Sequence, residues 1–308
     1  MIKVFIDGQA GTTGLQLKNK LSAHPYVELI EIEESKRKDE AERSKLMNEA
    51  DVVFLCLPDA AAVEAVTLVT NPDTVIIDAS TAHRVNDEWT YGFSELSSDH
   101  KEAISKSKRI ANPGCHATGF ISIVYPLVAG GIMPKNYPVT AHSITGYSGG
   151  GNKMIGEYED ENRASFYKSP RQYGLTQKHK HLPEMKKITG LAFEPVFNPI
   201  VSDFYCGMAV SVPVYTGLLN RKLSLYELKE YYIRYYQNSK FISVHSGPED
   251  GFLPATGLEG TNNLRIFICG NDERVTVTAV FDNLGKGASS AAIQNMNIAM
   301  GFDEATAL

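Results

Sequence analysis

Short apolar runs alternate with amphipathic stretches along the first third of the chain. The runs predict buried strands at residues 3–7, 27–32, 51–57 and 74–78. Helical patterns follow several of them, at residues 15–21, 40–48 and 60–69. This alternation predicts a doubly wound α/β domain around a parallel sheet. Ligands in that architecture bind at the carboxyl ends of the strands, so the segments that follow the strands are candidate binding loops.

From about residue 137 the pattern changes. Longer alternating runs predict strands at residues 139–145, 204–214, 264–269 and 274–281, several of them without an intervening helix. Such a pattern indicates an antiparallel or mixed sheet and therefore a second domain. A last helix, residues 288–300, is rich in small residues, and we expect it to return to the first domain. Asn283 and Gly287 lie just before it and are expected to approach the cofactor.

A glycine turn joins the first predicted strand to the first helix. Its candidate cofactor-binding residues are Gly8, Gly11, Thr12, Thr13 and Gly14. Glycines in such a turn let the backbone approach a pyrophosphate, and the helix N-terminus favours the negative charge. The spacing is G-x-x-G-x-x-G rather than the more specific G-x-G-x-x-G, and any tight strand-to-helix turn is also rich in glycine.

The segment after the second strand favours NADP over NAD. Glu33 and Glu34 are followed by Ser35, Lys36, Arg37 and Lys38, and a hydroxyl with cations suits a 2′-phosphate. The alternative is a solvated charge run. Two further strand ends offer cofactor contacts, through Leu57 and Pro58 and through Ser80.

Arg84 closes the last of these loops. A bidentate guanidinium can clamp a phosphate or carboxylate, so Arg84 is a candidate substrate-binding residue. A surface salt bridge is the competing interpretation.

Asn112-Pro113-Gly114-Cys115 is the most informative stretch. Pro113 and Gly114 predict a turn, and the apolar run at 120–127 predicts a buried helix that follows it. Cys115 then lies in the first helical turn, where unpaired N–H groups and the helix dipole stabilise a thiolate, a strong nucleophile. The alternative is a small buried hydrophobic side chain.

Titratable groups concentrate in the segment from Lys178 to Glu184, which includes His179 and His181. A thiolate enzyme needs a proton donor and acceptor with a pKa near neutral, and histidine suits that role. The cations favour an anionic substrate. The competing interpretation is a polar helix start, and His116 and His142 compete for the role of base. No convincing third metal ligand accompanies the histidines, so no metal is expected.

Bulk composition narrows the class of protein. The chain has 308 residues, 43% hydrophobic and 21% charged, with a formal net charge of −6. That charge argues against nucleic-acid or membrane-surface binding. The four cysteines are scattered, and the start MIKVFIDG carries no targeting signal. These features predict a reduced, cytoplasmic protein of two domains.

Four motifs together resemble one family. They are the turn from Gly8 to Gly14, the Asn112–Cys115 stretch, His179-x-His181-x-Pro183-Glu184, and Asp282-Asn283-Leu284-x-Lys286-Gly287-Ala288. In order and across nearly the whole chain they are similar to N-acetyl-gamma-glutamyl-phosphate reductase, in its shorter, type 2 subfamily. The glycine turn and the last motif are shared with aspartate-semialdehyde dehydrogenases, which are the alternative assignment. A non-catalytic NADP-binding sensor is a weaker alternative.

The resemblance implies a fold like that of glyceraldehyde-3-phosphate dehydrogenase and a homo-oligomer, a dimer or a tetramer. Residues 1–114 with 285–308 then form a Rossmann-like NADP-binding domain, and residues 115–284 an α+β catalytic and oligomerisation domain. It also implies NADPH-dependent reduction of N-acetyl-L-glutamyl 5-phosphate to the 5-semialdehyde and inorganic phosphate, in arginine biosynthesis. In that reaction Cys115 forms a thioester, His179 or His181 moves the proton, and backbone N–H groups hold the oxyanion. The expected substrate-binding residues are Arg84, Asn112, Ser143, Lys178 and Glu184.

Overall fold

The computed structural model describes residues 1–308 and divides the chain into two compact units. The first comprises Met1–Gly114 and Ala288–Leu308, and the second comprises Cys115–Gly287. The predicted return to the first domain at residue 285 comes slightly too early, because residues 285–287 group with the second unit. They open a π-helical stretch, Gly285–Ser289, which sequence patterns do not reveal. None of the helices is long and apolar enough to cross a lipid bilayer.

The first unit contains parallel strands and helices in alternation. Its strands are β1 (Ile2–Asp7), β2 (Val27–Ile30), β3 (Val52–Leu55), β4 (Val75–Asp78), β5 (Thr90–Tyr91) and β6 (Arg109–Ala111). Its helices are α1 (Thr12–Leu21), α2 (Glu40–Glu49), α3 (Asp59–Thr67), α4 (Ser98–Lys106) and, from the chain end, α9 (Ser290–Ala299).

All six strands of the first unit are parallel, in the order β2-β1-β3-β4-β6-β5. One face of the sheet is covered by α1, α4 and α9, through side chains such as Leu17, Ile104 and Met296. The other face is covered by α2 and α3, through Met47 and Ala62. The predicted doubly wound sheet is therefore confirmed. Strand order reverses between β1 and β3, and the carboxyl ends there are where such sheets bind ligands.

The second unit is built on a mixed sheet. Its strands are β7 (Thr140–Gly146), β8 (Arg171–Gln172), β9 (Val196–Ser202), β10 (Met208–Tyr215), β11 (Ile242–Ser246), β12 (Leu264–Gly270) and β13 (Arg274–Phe281). Its helices are α5 (Cys115–Ala129), α6 (Gly151–Glu159), α7 (Leu182–Thr189) and α8 (Leu225–Tyr236).

The seven strands lie in the order β11-β12-β13-β10-β7-β9-β8. Parallel pairs, β11 with β12 and β7 with β9, interrupt an otherwise antiparallel sheet, as the sequence predicted in outline. The predicted strand at 204–214 was placed too early: β10 begins at Met208, because Gly207 at φ +123° ends an irregular loop. Strand β9, which follows Pro195 and contains Pro199, was missed.

Helix α5 is almost entirely buried and contains Pro126 in its last turns. Proline has no N–H, so the carbonyl of Ser122, four residues earlier, loses its helical donor. The hydroxyl of Tyr236 on α8 donates to that carbonyl at 2.7 Å. Tyr232 donates in the same way to Ile123 at 2.5 Å, and Tyr231 to Pro126 at 2.6 Å. The tyrosine-rich helix is thus a packing helix that completes the hydrogen bonds of α5.

We predict that Tyr236→Phe lowers the free energy of unfolding by about 1–3 kcal/mol, because it leaves the buried carbonyl of Ser122 without a hydrogen-bond donor. Chemical denaturation measures the change, and the exposed Tyr226→Phe on the same helix is the control. Pro126→Ala restores an N–H donor for Ser122, so the double variant should regain much of the loss. Equal stabilities of Tyr236→Phe and wild type would contradict this account of α5.

Candidate active site

Cys115 is the first residue of α5, as predicted, and it is half-buried. The first turn of α5 carries no acidic side chain, so the dipole at its N-terminus is not offset there. Gly287 lies against the cysteine: a Cβ at residue 287 would stand 2.9 Å from Cβ of Cys115. The last residue of the second unit therefore packs against the first. A side chain at position 287 would crowd Cys115, so glycine is required there.

Three histidine rings gather beside α5. The centroid of the His116 ring lies 5.3 Å from that of His179 and 5.6 Å from that of His181, and the latter two are 4.8 Å apart. Phe197 on β9 packs against His116 and His179, at 5.2 and 5.1 Å. The two histidines of the motif and the residue after the cysteine thus form one cluster within the second unit.

His116 is buried and holds two hydroxyl groups. Its Nδ1 lies 2.7 Å from Oγ of Ser143, and its Nε2 lies 2.7 Å from the hydroxyl of Tyr173. Burial, with the charges of His179 and Lys180, lowers the pKa of His116 to about 3. The ring is therefore neutral at physiological pH. Ser143 fixes this ring, and its expected contact with substrate stays a prediction.

His142, the other competing histidine, is exposed while its neighbour Ser143 is fully buried. Successive residues of a strand face opposite sides of the sheet, so His142 lies on the far side from the cluster. It is excluded as the base.

His179 differs from the sequence expectation of a near-neutral pKa. Burial, with the charge of Lys180, lowers its pKa to about 4. The imidazole is therefore neutral at pH 7, with one donor and one acceptor nitrogen. Nδ1 of His179 accepts a hydrogen bond from the backbone N–H of His181 at 3.2 Å, which links the two motif residues.

The remaining motif residues start α7. His181 is buried at its N-cap position, Pro183 lies in its first turn, and Glu184 is the third helical residue, 1% exposed. The interpretation of this stretch as a helix start is therefore confirmed, and its functional role stays a prediction. Lys178 is exposed.

Tyr173 was not predicted as a site residue. It follows the two-residue strand β8, and its N–H bonds the carbonyl of Pro199 at 3.0 Å. The preceding Arg171 is held by the Tyr158 hydroxyl, at 3.0 and 3.1 Å, and by the Tyr167 ring, 4.2 Å away. Nothing in the local sequence marks this tyrosine, since the contact with His116 joins segments 57 residues apart.

The backbone at Gln177 fixes the direction in which the chain enters the histidine motif. Its φ of +54° is unusual for a residue with a side chain. Its amide pairs with both backbone groups of Phe197, at 2.8 and 2.9 Å. These bonds hold a strained backbone two residues before His179, and such strain is common at functional sites.

The glycine turn of the first unit has the form expected of a nucleotide loop. A Cβ at Gly8 would lie 2.3 Å from the carbonyl oxygen of Cys56, and one at Gly14 would lie 2.4 Å from that of Gly8. Internal packing therefore explains why residues 8 and 14 are both glycine. At Gly11, the N-cap of α1, a Cβ would meet nothing nearer than 3.5 Å. Space over the N-terminus of a helix whose N-cap has no side-chain bond fits a phosphate group.

The other predicted cofactor residues lie on the same unit in different settings. Leu57 and Pro58 follow β3, and Pro58 is the N-cap of α3. Ser35 and Arg37 are exposed after β2, with Arg37 paired to Glu34 at 2.5 Å. The Ser80 hydroxyl donates to Asp78 at 2.6 Å. Their cofactor contacts stay predictions.

Arg84 and Asn112 have internal partners in the first unit. Arg84 is buried and donates from Nε to the Asn112 carbonyl and from Nη2 to the Ala79 carbonyl, both at 2.9 Å. The Asn112 amide donates to Ala288 at 3.0 Å and accepts from Asn295 at 3.1 Å. These bonds give both residues a structural role, and their substrate contacts stay predictions.

Asn283 likewise joins two segments of the second unit. It accepts from the Gly207 N–H at 2.8 Å and donates to the Ser148 hydroxyl at 3.0 Å. The structure brings together no group of three histidine, cysteine or acidic side chains that could hold a metal ion.

Comparison with known families agrees with this division. A family model described as "Semialdehyde dehydrogenase, NAD binding domain" matches residues 3–104. Another, described as "Semialdehyde dehydrogenase, dimerisation domain", matches residues 115–283. Aspartate-semialdehyde dehydrogenase from Francisella tularensis has a TM-score of 0.74 over 97% of this chain and 100% of its own, at 15% identity. The chain has the two domains and the fold of a semialdehyde dehydrogenase.

Closer relatives define the family. An N-acetyl-gamma-glutamyl-phosphate reductase from Nostoc sp. is 44% identical over 98% of both chains. One from Chelativorans sp. is 43% identical over 96% of this chain and 97% of its own. The chain belongs to the N-acetyl-gamma-glutamyl-phosphate reductase family, as its motifs indicated. The aspartate-semialdehyde dehydrogenases share the fold at 13–15% identity.

We predict that Gly11→Ala weakens NADP binding at least about tenfold, a loss of about 1.4 kcal/mol. The added methyl group occupies the space that a phosphate would take. The melting temperature should not fall, because the methyl group meets no atom of the chain closely. Calorimetric titration with NADP measures the effect, and Gly156→Ala on α6, equally unobstructed, is the control. Unchanged affinity in Gly11→Ala would refute the phosphate position.

Proposed function

We propose that this protein catalyses the NADPH-dependent reduction of N-acetyl-L-glutamyl 5-phosphate to N-acetyl-L-glutamate 5-semialdehyde and inorganic phosphate, a step of arginine biosynthesis. The observation that carries the proposal is Cys115 at the start of α5, in the unit that holds the histidine cluster. The reductases that are 40–44% identical to the chain support the choice of substrate.

Cys115 starts the reaction as a thiolate. Its sulfur attacks the acyl carbon, the bond from that carbon to the phosphate oxygen breaks, and a thioester and inorganic phosphate result. His179 and His181 are the two candidates for moving the thiol proton, and Nδ1 of His179 already accepts the His181 N–H. Lys178 and Lys180 add positive charge for the anionic substrate, and Glu184 is proposed to hold the motif in place.

NADPH, when bound, supplies the hydride that takes the thioester to the aldehyde level. The residues that would hold it are those of the glycine turn (Gly8, Gly11, Thr12, Thr13 and Gly14), Leu57, Pro58 and Ser80. Ser35 and Arg37 are proposed to read the 2′-phosphate. After reduction, the C–S bond breaks, the aldehyde leaves and the Cys115 thiolate is restored. An aspartate-semialdehyde dehydrogenase from Candida albicans, similar in fold with a TM-score of 0.67, was solved with NADP.

The open face of the second sheet supports a homo-oligomer. Ile144, Val196 and Tyr215 lie on this face and are 38%, 55% and 58% exposed. An apolar sheet face of this kind is typical of a subunit contact, and the family model for this unit is a dimerisation domain. We further propose a cytoplasmic location, because all four cysteines are free thiols.

The test is phosphate-dependent reduction of NADP with N-acetyl-glutamate semialdehyde, measured beside aspartate semialdehyde. We predict turnover on the acetylated substrate that requires phosphate and falls by roughly 10³-fold or more in Cys115→Ser. The control is Cys269→Ser, which changes another half-buried cysteine of the second unit and should retain turnover. A higher kcat/KM for aspartate semialdehyde would change the assigned substrate to aspartate semialdehyde. Full activity in Cys115→Ser would refute the assignment of Cys115 as the nucleophile.

A further inference from the structure

His116, the residue after Cys115, links two hydroxyl groups in a row. Ser143 lies at one end, fully buried on β7, and Tyr173 lies at the other, each 2.7 Å from a ring nitrogen. Two bonds of this length fix the plane of the ring and the position of the phenol. The proposed mechanism gives none of these three residues a step.

The tautomer of His116 sets the direction of the row. Its pKa of about 3, lowered by burial and by His179 and Lys180, keeps the ring neutral. A neutral imidazole has one donor and one acceptor nitrogen. When Ser143 donates to Nδ1, the Nε2–H donates to the Tyr173 oxygen, and the phenol proton is left to donate onward. Hydrogen bonds aligned in this way strengthen one another.

The phenol lies within electrostatic reach of the nucleophile. Burial raises the pKa of Tyr173, and the charge of Cys115 raises it further. The phenol therefore stays protonated throughout the physiological range and remains a donor. The His179 ring, whose centroid is 5.9 Å from that of Tyr173, is neutral as well and does not supply competing charge.

We propose that the Tyr173 hydroxyl donates the side-chain hydrogen bond to the oxyanion that forms on the carbon bonded to Cys115, with His116 and Ser143 as positioning residues. This inference rests on the thioester reaction proposed above. It adds a side-chain donor to the backbone N–H groups expected near the cysteine.

The donor acts at both tetrahedral stages. When the sulfur–carbon bond forms, the carbonyl π electrons move to oxygen, and the Tyr173 O–H stabilises that charge without giving up its proton. The charge returns to the carbonyl as phosphate leaves. After reduction of the thioester, the same donor stabilises the alkoxide until the C–S bond breaks. A donor held in place before reaction is worth most, because it needs no reorganisation.

The main test is Tyr173→Phe, which removes only the hydroxyl. Loss of one such donor lowers kcat about 10²-fold, with KM changed less than about twofold. Alkylation of Cys115 by iodoacetamide in the free enzyme should proceed at the wild-type rate, because Tyr173 acts on the substrate oxygen. Wild-type kcat, a rise in KM alone, or alkylation slowed in parallel with turnover would each overturn the proposal.

Substitutions at His116 test the row itself. In His116→Gln the amide nitrogen replaces the donor Nε2, whereas His116→Phe removes it, so the glutamine variant should keep a higher kcat. Because His116 acts through Tyr173, the variant carrying both Tyr173→Phe and His116→Phe should be no slower than the slower single variant. Additive losses would contradict this. NADP affinity and circular dichroism check the fold of each variant.

Cys115→Ser in the same assay separates the two proposals. If Cys115→Ser loses turnover while Tyr173→Phe retains it, the inference about Tyr173 fails and the proposed reaction stands. If Cys115→Ser retains turnover, both fail.

Discussion

The second unit is built around one buried helix whose backbone hydrogen bonds are not all made within the helix. Helix α5 carries Cys115 at its first residue and Pro126 near its end, and nearly all of it lies away from water. A buried carbonyl without a donor costs about 1–3 kcal/mol, so the hydroxyls of α8 are needed where proline removes the N–H. Packing that satisfies the far end of α5 leaves its N-terminus, the positive end of the helix dipole, for chemistry.

Burial also determines the charge of the histidine cluster. Removing the imidazoles from water disfavours their charged forms, and Lys180 adds to this effect, so His116 and His179 are neutral at pH 7. A neutral imidazole keeps one donor and one acceptor nitrogen, so His116 can pass a hydrogen bond from one hydroxyl to another. Burial therefore explains both the neutral rings and the row that holds Tyr173.

Much of this architecture was predictable from local patterns. Apolar runs gave the parallel sheet, Pro113 and Gly114 before an apolar run gave the helix start at Cys115, and Pro183 with Glu184 gave that of α7. Each of these signals lies within a few residues of the feature it predicts.

The parts that were missed depend on contacts between distant segments. Tyr173 reaches His116 only because β8 pairs with β9, and Ser143 becomes a partner of that ring only through the alternation of β7. Arg84, Asn112 and Asn283 also have internal hydrogen-bond partners that the local sequence does not reveal. A low histidine pKa also follows from burial, which no short motif reveals.

The central claim is that Cys115 carries the acyl group as a thioester. The most direct measurement is intact-mass and peptide mass spectrometry after incubation with N-acetyl-glutamate semialdehyde and NADP in the absence of phosphate. The account predicts one N-acetyl-glutamyl adduct per chain, on the peptide that contains Cys115, and its release when phosphate is added. NADPH formation at full rate with no adduct, or with an adduct on another residue, would contradict it.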